Sequence, residues 1–488
     1  MRKLILFLLT LKIAAAVAQT APDFDTFFDA GALRLELFQT GDASEEIISA
    51  GAILREPLWP ASQNSLIDPF NNGRYTIKLF DIASNTLIYS SGMDCMFGEY
   101  RTTNPAIEGV KRTFRRAVRI PLPKHPANFV LEKRDKNNLS APFFMLRIDP
   151  ADYHINTESA PAGEIYASHL SGDPALKADL LFIAEGYTAA DQAKFHGDVD
   201  KMRDFLFSVA PYSGLREQIN IRGLFIASPE RGMDEPRQGS WKNTLLNASF
   251  NSFDLDRYML IEDGHLLRRI ASQAPYDAII VLVNSSRYGG GGIYNDYCCT
   301  TVDHALSKRV FIHEFGHAFA GLADEYYTSD VAYNEFYPKG IEPLEPNITA
   351  LLDPAHIKWQ SMLSPGITLP TEYGKSMRDS LQIALMENGR AMDKAVQAAK
   401  KGGAGEKELE KLKKSFLDKG KKLGEQLAAE KQKFAALEDK VGAFEGAGYA
   451  SRGLYRPMMD CLMISNARDH FCRVCEAAIT RMVEFYAR

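Results

Sequence analysis

The sequence is poor in the features that mark several large classes of protein. It has only 6 cysteines in 488 residues, too few for a fold held together by disulfides. Its 57 basic residues are outnumbered by 62 acidic ones, so the net charge of -5 offers no surface for nucleic acid. After residue 18 no apolar run approaches the length of a bilayer span, which argues against membrane insertion. These absences favour a globular protein of two or three units.

The first 18 residues have the pattern of an export signal. A basic start at Arg2 and Lys3 precedes an apolar run at residues 4–11, and small residues at 16–18 form a cleavage site. The alternative, a membrane anchor, is disfavoured because the run is too short to span a bilayer. The sequence therefore predicts a signal peptide at residues 1–18 and a protein that is secreted, periplasmic or exposed at the cell surface.

Three of the cysteines lie close together near the end of the sequence. In an exported protein, Cys461, Cys472 and Cys475 could include a disulfide. Zinc binding by Cys472 and Cys475 is the weaker interpretation, because no second pair with this spacing completes a site of four ligands. The sequence leaves the pairing open.

Short runs of alternating apolar and polar residues dominate residues 19–155. Examples are residues 32–38, 75–82 and 143–148, with turn residues between the runs. Several short strands separated by turns predict a β-rich N-terminal domain that resembles a sandwich.

The pattern changes in residues 156–488, where apolar runs such as 276–283 lack alternation. Helical stretches at 189–209 and 255–272 lie between these runs. Strands buried on both faces and separated by helices are typical of an α/β core. The chain as a whole is therefore predicted to be an α+β protein of more than one domain.

Residues 376–440 have a third composition. Apolar residues recur there at spacings of three, four and seven among lysines and glutamates, and a glycine-rich break at 401–405 separates two arms. The pattern predicts an antiparallel helical hairpin inserted in the second domain. Such a charged hairpin is usually a solvated projection, and docking of a protein partner on it is the alternative.

The most informative motif is His313, Glu314 and His317. Histidines four residues apart project from one face of a helix and can bind one zinc ion, and Glu314 lies beside the metal as a general base. Gly321 can end this helix and turn the chain back, which would bring Asp324 to the metal as a third ligand, with Glu325 as the alternative. A buried helix with ordinary core histidines explains this ordered set of residues less well.

These residues carry a resemblance to a known family. The chain resembles the IgA-peptidase family of bacterial zinc metallopeptidases, and the similarity spans most of residues 160–488. The matching segments are HEFGHAFAGLADEY at 313–326, RYGGGGIY at 287–294, FEGAGY at 444–449, GLYRP at 453–457 and, in the N-terminal domain, EPLWP at 56–60.

The resemblance implies a metzincin-like catalytic domain with Zn²⁺ bound by His313, His317 and Asp324 and with Glu314 as general base. It also implies a methionine turn below the metal, for which Met463 is the candidate and Met459 the reserve. The glycine run Gly289, Gly290, Gly291 and Gly292 follows a predicted strand and precedes the zinc helix. In metzincins an edge strand in this region pairs with substrate backbone, and a flexible turn is the alternative interpretation.

Two departures from the common metzincin pattern qualify the comparison. Gly321 and Asp324 fall one position later than usual, which weakens the assignment of the third ligand relative to the two histidines. The helical hairpin interrupts the segment between Tyr373 and Val441, and such an insertion is not expected in typical members.

The sequence-based hypothesis is a secreted zinc endopeptidase that acts on protein or peptide substrates. Tyr326, Tyr449 and Tyr455 are unranked candidates for stabilising the oxyanion. The alternatives are a secreted binding or adhesion protein with a structural zinc site, and a zinc amidase acting on cell-wall peptides. Cleavage of IgA is not implied, since substrate choice depends on pockets and loops.

Overall fold

The computed structural model describes residues 22–157, 162–327, 336–465 and 467–488. In these residues the chain is a mixed α and β protein with several sheets. The predicted signal peptide at 1–18 lies outside the described residues. None of the described helices is long and apolar enough to cross a membrane.

The N-terminal part contains two antiparallel sheets with the orders β2-β1-β5 and β4-β3-β6-β7. Its elements are α1 (Phe24–Phe27), β1 (Phe28–Gly41), β2 (Glu46–Glu56), β3 (Tyr75–Asp81), β4 (Leu87–Met93), α2 (Met96–Tyr100), α3 (Asn104–Ile107), β5 (Arg112–Pro123), β6 (Ala127–Arg134) and β7 (Ser140–Ile148). Every second side chain of β3 is buried, as its alternating sequence predicts. Buried side chains of both sheets belong to one hydrophobic cluster, so the two sheets share a core.

The next six strands form a single sheet with the order β12-β13-β11-β9-β10-β8. They are β8 (Glu164–His169), β9 (Ala178–Glu185), β10 (Ile219–Phe225), β11 (Ala278–Val283), β12 (Gly290–Ile293) and β13 (Tyr297–Thr301). The four inner strands run parallel, whereas β12 and β8 pair antiparallel at the two edges. All residues of β9 and β10 are buried, in agreement with their apolar sequences.

Three helices accompany this sheet: α4 (Gln192–Leu206), α5 (Gly264–Ala271) and α6 (Ser307–Ala320). The prediction of a helix from residue 255 was wrong, because α5 begins only at Gly264. Asp263 caps it by accepting a hydrogen bond from the Leu266 N–H at 3.1 Å. The preceding residues 259–261 are all buried in extended chain, a pattern that one helical face cannot produce.

Two long helices follow, α7 (Lys375–Lys401) and α8 (Glu406–Gln432). Asn388 Nδ2 donates to the Phe416 carbonyl at 2.9 Å, and an Arg378 Nη donates to the Lys431 carbonyl at 3.2 Å. Residues earlier in α7 thus pair with residues later in α8, so the two helices run in opposite directions. The chain then forms β14 (Phe444–Ala447), β15 (Ala450–Arg456) and α9 (Arg473–Tyr486).

The N-terminal sheets are joined to the central sheet through β5 and α5. Arg112 and Arg115 of β5 form ion pairs with Glu262 and Asp263, each at 2.6 Å. The hydrophobic cluster beneath the N-terminal sheets continues into strands β9, β11 and β13 of the central sheet. The N-terminal sheets therefore share their core with one face of the central sheet, whereas α4, α6 and α9 share a second core with the other face.

Candidate metal centre

Helix α6 presents His313 and His317 one turn apart, with their Nε2 atoms 3.2 Å from each other. The His313 Nδ1 donates to the Leu462 carbonyl at 3.2 Å, and the His317 Nδ1 donates to the Leu322 carbonyl at 2.6 Å. Because each Nδ1 is held by a carbonyl, each Nε2 is left with a lone pair for a cation.

Asp324 completes a set of three converging donor atoms. Helix α6 ends at Gly321, whose φ of 60° turns the chain back toward the histidines. The Asp324 Oδ1 lies 3.0 Å from the His313 Nε2 and 3.4 Å from the His317 Nε2. Among the described residues this buried oxygen has no hydrogen-bond partner. Tyr449 Oη donates to the other oxygen, Oδ2, at 2.6 Å and so fixes the orientation of the carboxylate.

The spacing of these donors fits a tetrahedral metal ion. With metal–ligand bonds of about 2.0–2.1 Å, neighbouring donors of a tetrahedral site lie roughly 3.3–3.4 Å apart. The three observed separations are 3.0, 3.2 and 3.4 Å. Two imidazoles and a carboxylate are also a donor set that zinc prefers, and three protein ligands leave a position for water.

The electrostatics of the three residues favour positive charge between them. Burial opposes protonation of His317, but the Asp324 carboxylate outweighs burial and raises the pKa of His317 to about 9. For Asp324, burial acts to raise the pKa, yet His317 and His313 hold that pKa well below its usual range. A cation at this point would take the place of the proton.

Glu314 lies on the same helix and lines the same cleft as the two histidines. Burial raises the pKa of this carboxyl group above its ordinary value, and the nearby histidines partly offset the effect. A raised pKa suits a group that must accept a proton and then release it.

The glycine run passes directly over α6. A Cβ atom on Gly292 would lie 2.3 Å from the Glu314 carbonyl oxygen, and one on Gly290 would lie 2.6 Å from a Val310 methyl carbon. Gly290, Gly291 and Gly292 belong to the edge strand β12, and Gly289 precedes it. The glycines therefore allow a strand and the histidine helix to approach each other closely.

Part of the outer edge of β12 is covered by the chain itself. Tyr258 forms a parallel bridge with Gly290, and a Cβ on Gly291 would lie 2.8 Å from the Met259 carbonyl oxygen. The segment 257–260 thus runs beside the strand for which the resemblance implies pairing with substrate.

Met463 lies beneath the histidine helix. Its Sδ is 3.1 Å from the position that a Cβ on Gly316 would occupy, and its side chain is fully buried. The Met463 carbonyl accepts a hydrogen bond from the Glu325 N–H at 2.9 Å. The reserve candidate, Met459, is only half-buried.

Glu325 points away from the histidines, although it is the neighbour of Asp324. Its Oε1 accepts a hydrogen bond from Asn347 Nδ2 at 3.0 Å and lies 3.2 Å from Cys475 Sγ. Of the two acidic residues considered from the sequence, the structure brings Asp324 to the histidines.

The three candidate tyrosines occupy different places. Tyr449 is hydrogen bonded to Asp324, whereas Tyr326 lines the cleft and is hydrogen bonded to Arg257 and Asp324. Tyr455 is not among the lining residues, and its backbone pairs with Thr349.

The cleft also contains residues that the sequence did not single out. Arg257 contributes positive charge near Glu314, and Arg74, Asp94 and Glu99 enter from loops and the helix α2 of the N-terminal part. Glu99 accepts a hydrogen bond from Tyr258 Oη. The N-terminal part therefore forms one wall of a cleft of about 180 Å³, although its sequence contains no recognisable catalytic motif.

Comparison with known families accounts for most of the chain. A family model described as IgA Peptidase M64 matches residues 167–483, which is more than half of the chain. A second, described as Peptidase M64 N-terminus, matches residues 23–145. A search of curated proteins found no match.

The contact between Gly292 and Glu314 leads to a first prediction. We expect Gly292→Ala to lower the free energy of unfolding by about 1–3 kcal/mol, because the added methyl group must push β12 away from α6. Gly424→Ala is the matched control, since no atom outside its own helix lies within 4 Å of the added Cβ. We expect that control to be neutral or slightly stabilising in urea denaturation. Equal stability of the two variants would contradict the close approach.

A second prediction concerns the hydrogen bond from Tyr449 to Asp324. Tyr449→Phe removes this bond without removing a metal ligand, so zinc affinity should fall about 10–100-fold. Competition with a zinc-chelating dye measures the change. Tyr455→Phe, outside the cleft, should leave the affinity unaltered. If both variants bind zinc as the parent does, Tyr449 does not orient the ligand.

Proposed function

The chain belongs to the IgA peptidase M64 family, and we propose that it is a secreted zinc-dependent endopeptidase. Membership of the family makes it a metallopeptidase that acts on protein or peptide substrates. The zinc ion, the residues that bind it, the role of Glu314 and the secretion of the protein are the parts that we propose.

One observation carries the proposal: three converging donors with tetrahedral spacing lie beside a partly buried glutamate in an open cleft. His313, His317 and Asp324 would hold the ion through Nε2, Nε2 and Oδ1. The buried Asp324 carboxylate needs positive charge beside it, and a cation between the three residues would supply that charge.

Glu314 has the position and the environment of a general base. A zinc ion, when bound, polarises the scissile carbonyl and acidifies water. Glu314 would accept the proton of the attacking water and then donate it to the amine that leaves. Burial raises the pKa of this carboxyl group, which makes it a better acceptor for the proton of water.

Tyr326 is the tyrosine that we propose for stabilisation of the oxyanion. Tyr455 does not line the cleft. Tyr326 and Tyr449 are both hydrogen bonded to Asp324, but Tyr326 is the one that also contacts Arg257. The Tyr326 hydroxyl is hydrogen bonded to Arg257, whose positive charge strengthens the hydroxyl as a donor toward developing negative charge.

We propose that substrate lies between β12 and the wall formed by the N-terminal part. Edge strands bind extended peptides through backbone hydrogen bonds, and β12 runs along the histidine helix. Since Tyr258 bridges to Gly290, the part of β12 toward Ile293 is where backbone pairing with a substrate is to be sought.

The finer description of the fold belongs to the same proposal. We assign residues 19–155 to a sandwich-like domain and residues 156–488 to a metzincin-like domain, with the pair α7 and α8 inserted in it. Residues 1–18 would direct export. The mostly exposed side chains of α7 and α8 suit a solvated projection on which a protein partner could dock.

A binding protein with a structural metal, and an amidase that cleaves cell-wall peptides, are the two rivals. A structural metal site has no use for a buried carboxyl group beside an open coordination position, which argues against the first. The amidase differs from an endopeptidase in its substrate alone, so assays with protein and with peptidoglycan separate the two.

A third prediction tests the proposed base. Glu314→Gln should lower the rate of peptide hydrolysis by about 10²–10⁴-fold while the zinc content stays that of the parent, because Gln cannot carry the proton. Glu425→Gln, an exposed position on α8, is the matched control and should keep full activity. Hydrolysis should also stop when a chelator is added. A fully active Glu314→Gln protein would rule out the mechanism.

A further inference from the structure

A second cluster of metal-binding side chains lies behind the first. It comprises Glu325, Cys461, Cys472 and Cys475, whose ligand atoms all lie within 4.8 Å of one another. All four side chains are buried, with at most 2% of their surface exposed. We infer that this cluster is a closed structural zinc site with three thiolate ligands and one carboxylate ligand.

The distances within the cluster fit zinc rather than a disulfide. With zinc–sulfur bonds of about 2.3 Å, neighbouring sulfurs of a tetrahedral site lie roughly 3.8 Å apart. Cys461 Sγ and Cys475 Sγ are 3.8 Å apart, whereas the sulfurs of a disulfide are about 2.05 Å apart. The Glu325 Oε1 lies 3.2 Å from Cys475 Sγ and 3.8 Å from Cys472 Sγ, within the same shell. All six cysteines of the chain are free.

The surroundings of the cluster stabilise thiolate and carboxylate ligands. The backbone N–H groups of Met463 and Cys472 donate to Cys461 Sγ at 3.4 and 3.2 Å. Cys472 is the N-cap of α9 and Cys475 lies in its first turn, where the helix dipole favours negative charge. Among the described residues the Glu325 Oε2 is buried without a hydrogen-bond partner, so the charge of this carboxylate is incompletely compensated by the protein.

Sequence alone disfavoured this site because Cys472 and Cys475 lack a second pair with the same spacing. Of the two missing ligands, Cys461 lies 11 residues before Cys472, whereas Glu325 lies 147 residues before it and is brought near only by the fold. Cys461 comes from the loop before α9, and Glu325 from the turn after α6. Thiolate-rich sets of this kind select zinc among the common divalent ions.

The site would connect two of the segments that build the first centre. Glu325 follows Asp324 directly, and Cys461 precedes Leu462, whose carbonyl orients His313. The Glu325 N–H also donates to the Met463 carbonyl at 2.9 Å. An ion held by Glu325 and Cys461 therefore fixes the third ligand and the loop below the histidines at the same time.

The inference is independent of the proposed peptidase activity, and its test does not use activity. The full chain with His313→Ala and His317→Ala lacks the first centre. After prolonged dialysis against a chelator we expect this variant to retain one equivalent of zinc per chain, because a buried thiolate site releases its metal only on unfolding. X-ray absorption at the zinc edge should show a sulfur-rich shell with zinc–sulfur distances of about 2.3 Å.

Cysteine variants in the same background provide matched controls. Adding Cys475→Ala should abolish the retained zinc, whereas adding Cys298→Ala, a buried cysteine outside the cluster, should leave it in place. If the Cys475→Ala protein does not fold, the absorption spectrum of the histidine variant still decides the question. Absence of zinc from that variant, a shell without sulfur, or an intact mass lower by two hydrogens, which indicates a disulfide, would each overturn the inference.

Discussion

The close approach of three potential metal ligands imposes the central constraint on this structure. The Nε2 atoms of His313 and His317 and the Oδ1 of Asp324 are too close together to be buried without positive charge at their centre. Each of these side chains is oriented by a hydrogen bond through another of its atoms. Backbone carbonyls accept from the two histidines, and Tyr449 donates to the aspartate. The neighbouring elements are arranged to keep this geometry.

The glycine strand and the methionine loop show how packing maintains the centre. Strand β12 can lie against α6 because Gly290 and Gly292 have no side chains, and Met463 fills the space beneath Gly316. Asp324 and Glu325 then diverge, one toward the histidines and the other toward three cysteines. Two adjacent carboxylates thus serve two different clusters, and the backbone between them joins the clusters mechanically. The N-terminal part closes the other side of the cleft with Arg74, which precedes β3, and Glu99 of α2.

The sequence predicts those features of the fold and the site that depend on interactions between residues close together in the chain. The histidine pair and Glu314 depend on helical spacing alone, and the turn at Gly321 is local as well, so these residues could be placed without the fold. The buried strands β9, β10 and β11 were likewise predicted from their apolar runs. Helix α5 was predicted too long, because buried residues in extended chain imitate an apolar helical segment. Arg257, the wall from the N-terminal part and the meeting of Glu325 with Cys461 depend on contacts between distant segments, which no local pattern encodes.

The most direct test of the central claim is anomalous X-ray diffraction from crystals of the zinc-loaded protein, recorded above and below the zinc absorption edge. We predict an anomalous peak about 2.0–2.1 Å from the Nε2 atoms of His313 and His317 and about 2.0–2.2 Å from an Asp324 carboxylate oxygen, with Glu314 beside it but not ligating. Absence of a peak between these three residues, or a peak ligated by Glu325 instead of Asp324, would contradict the account.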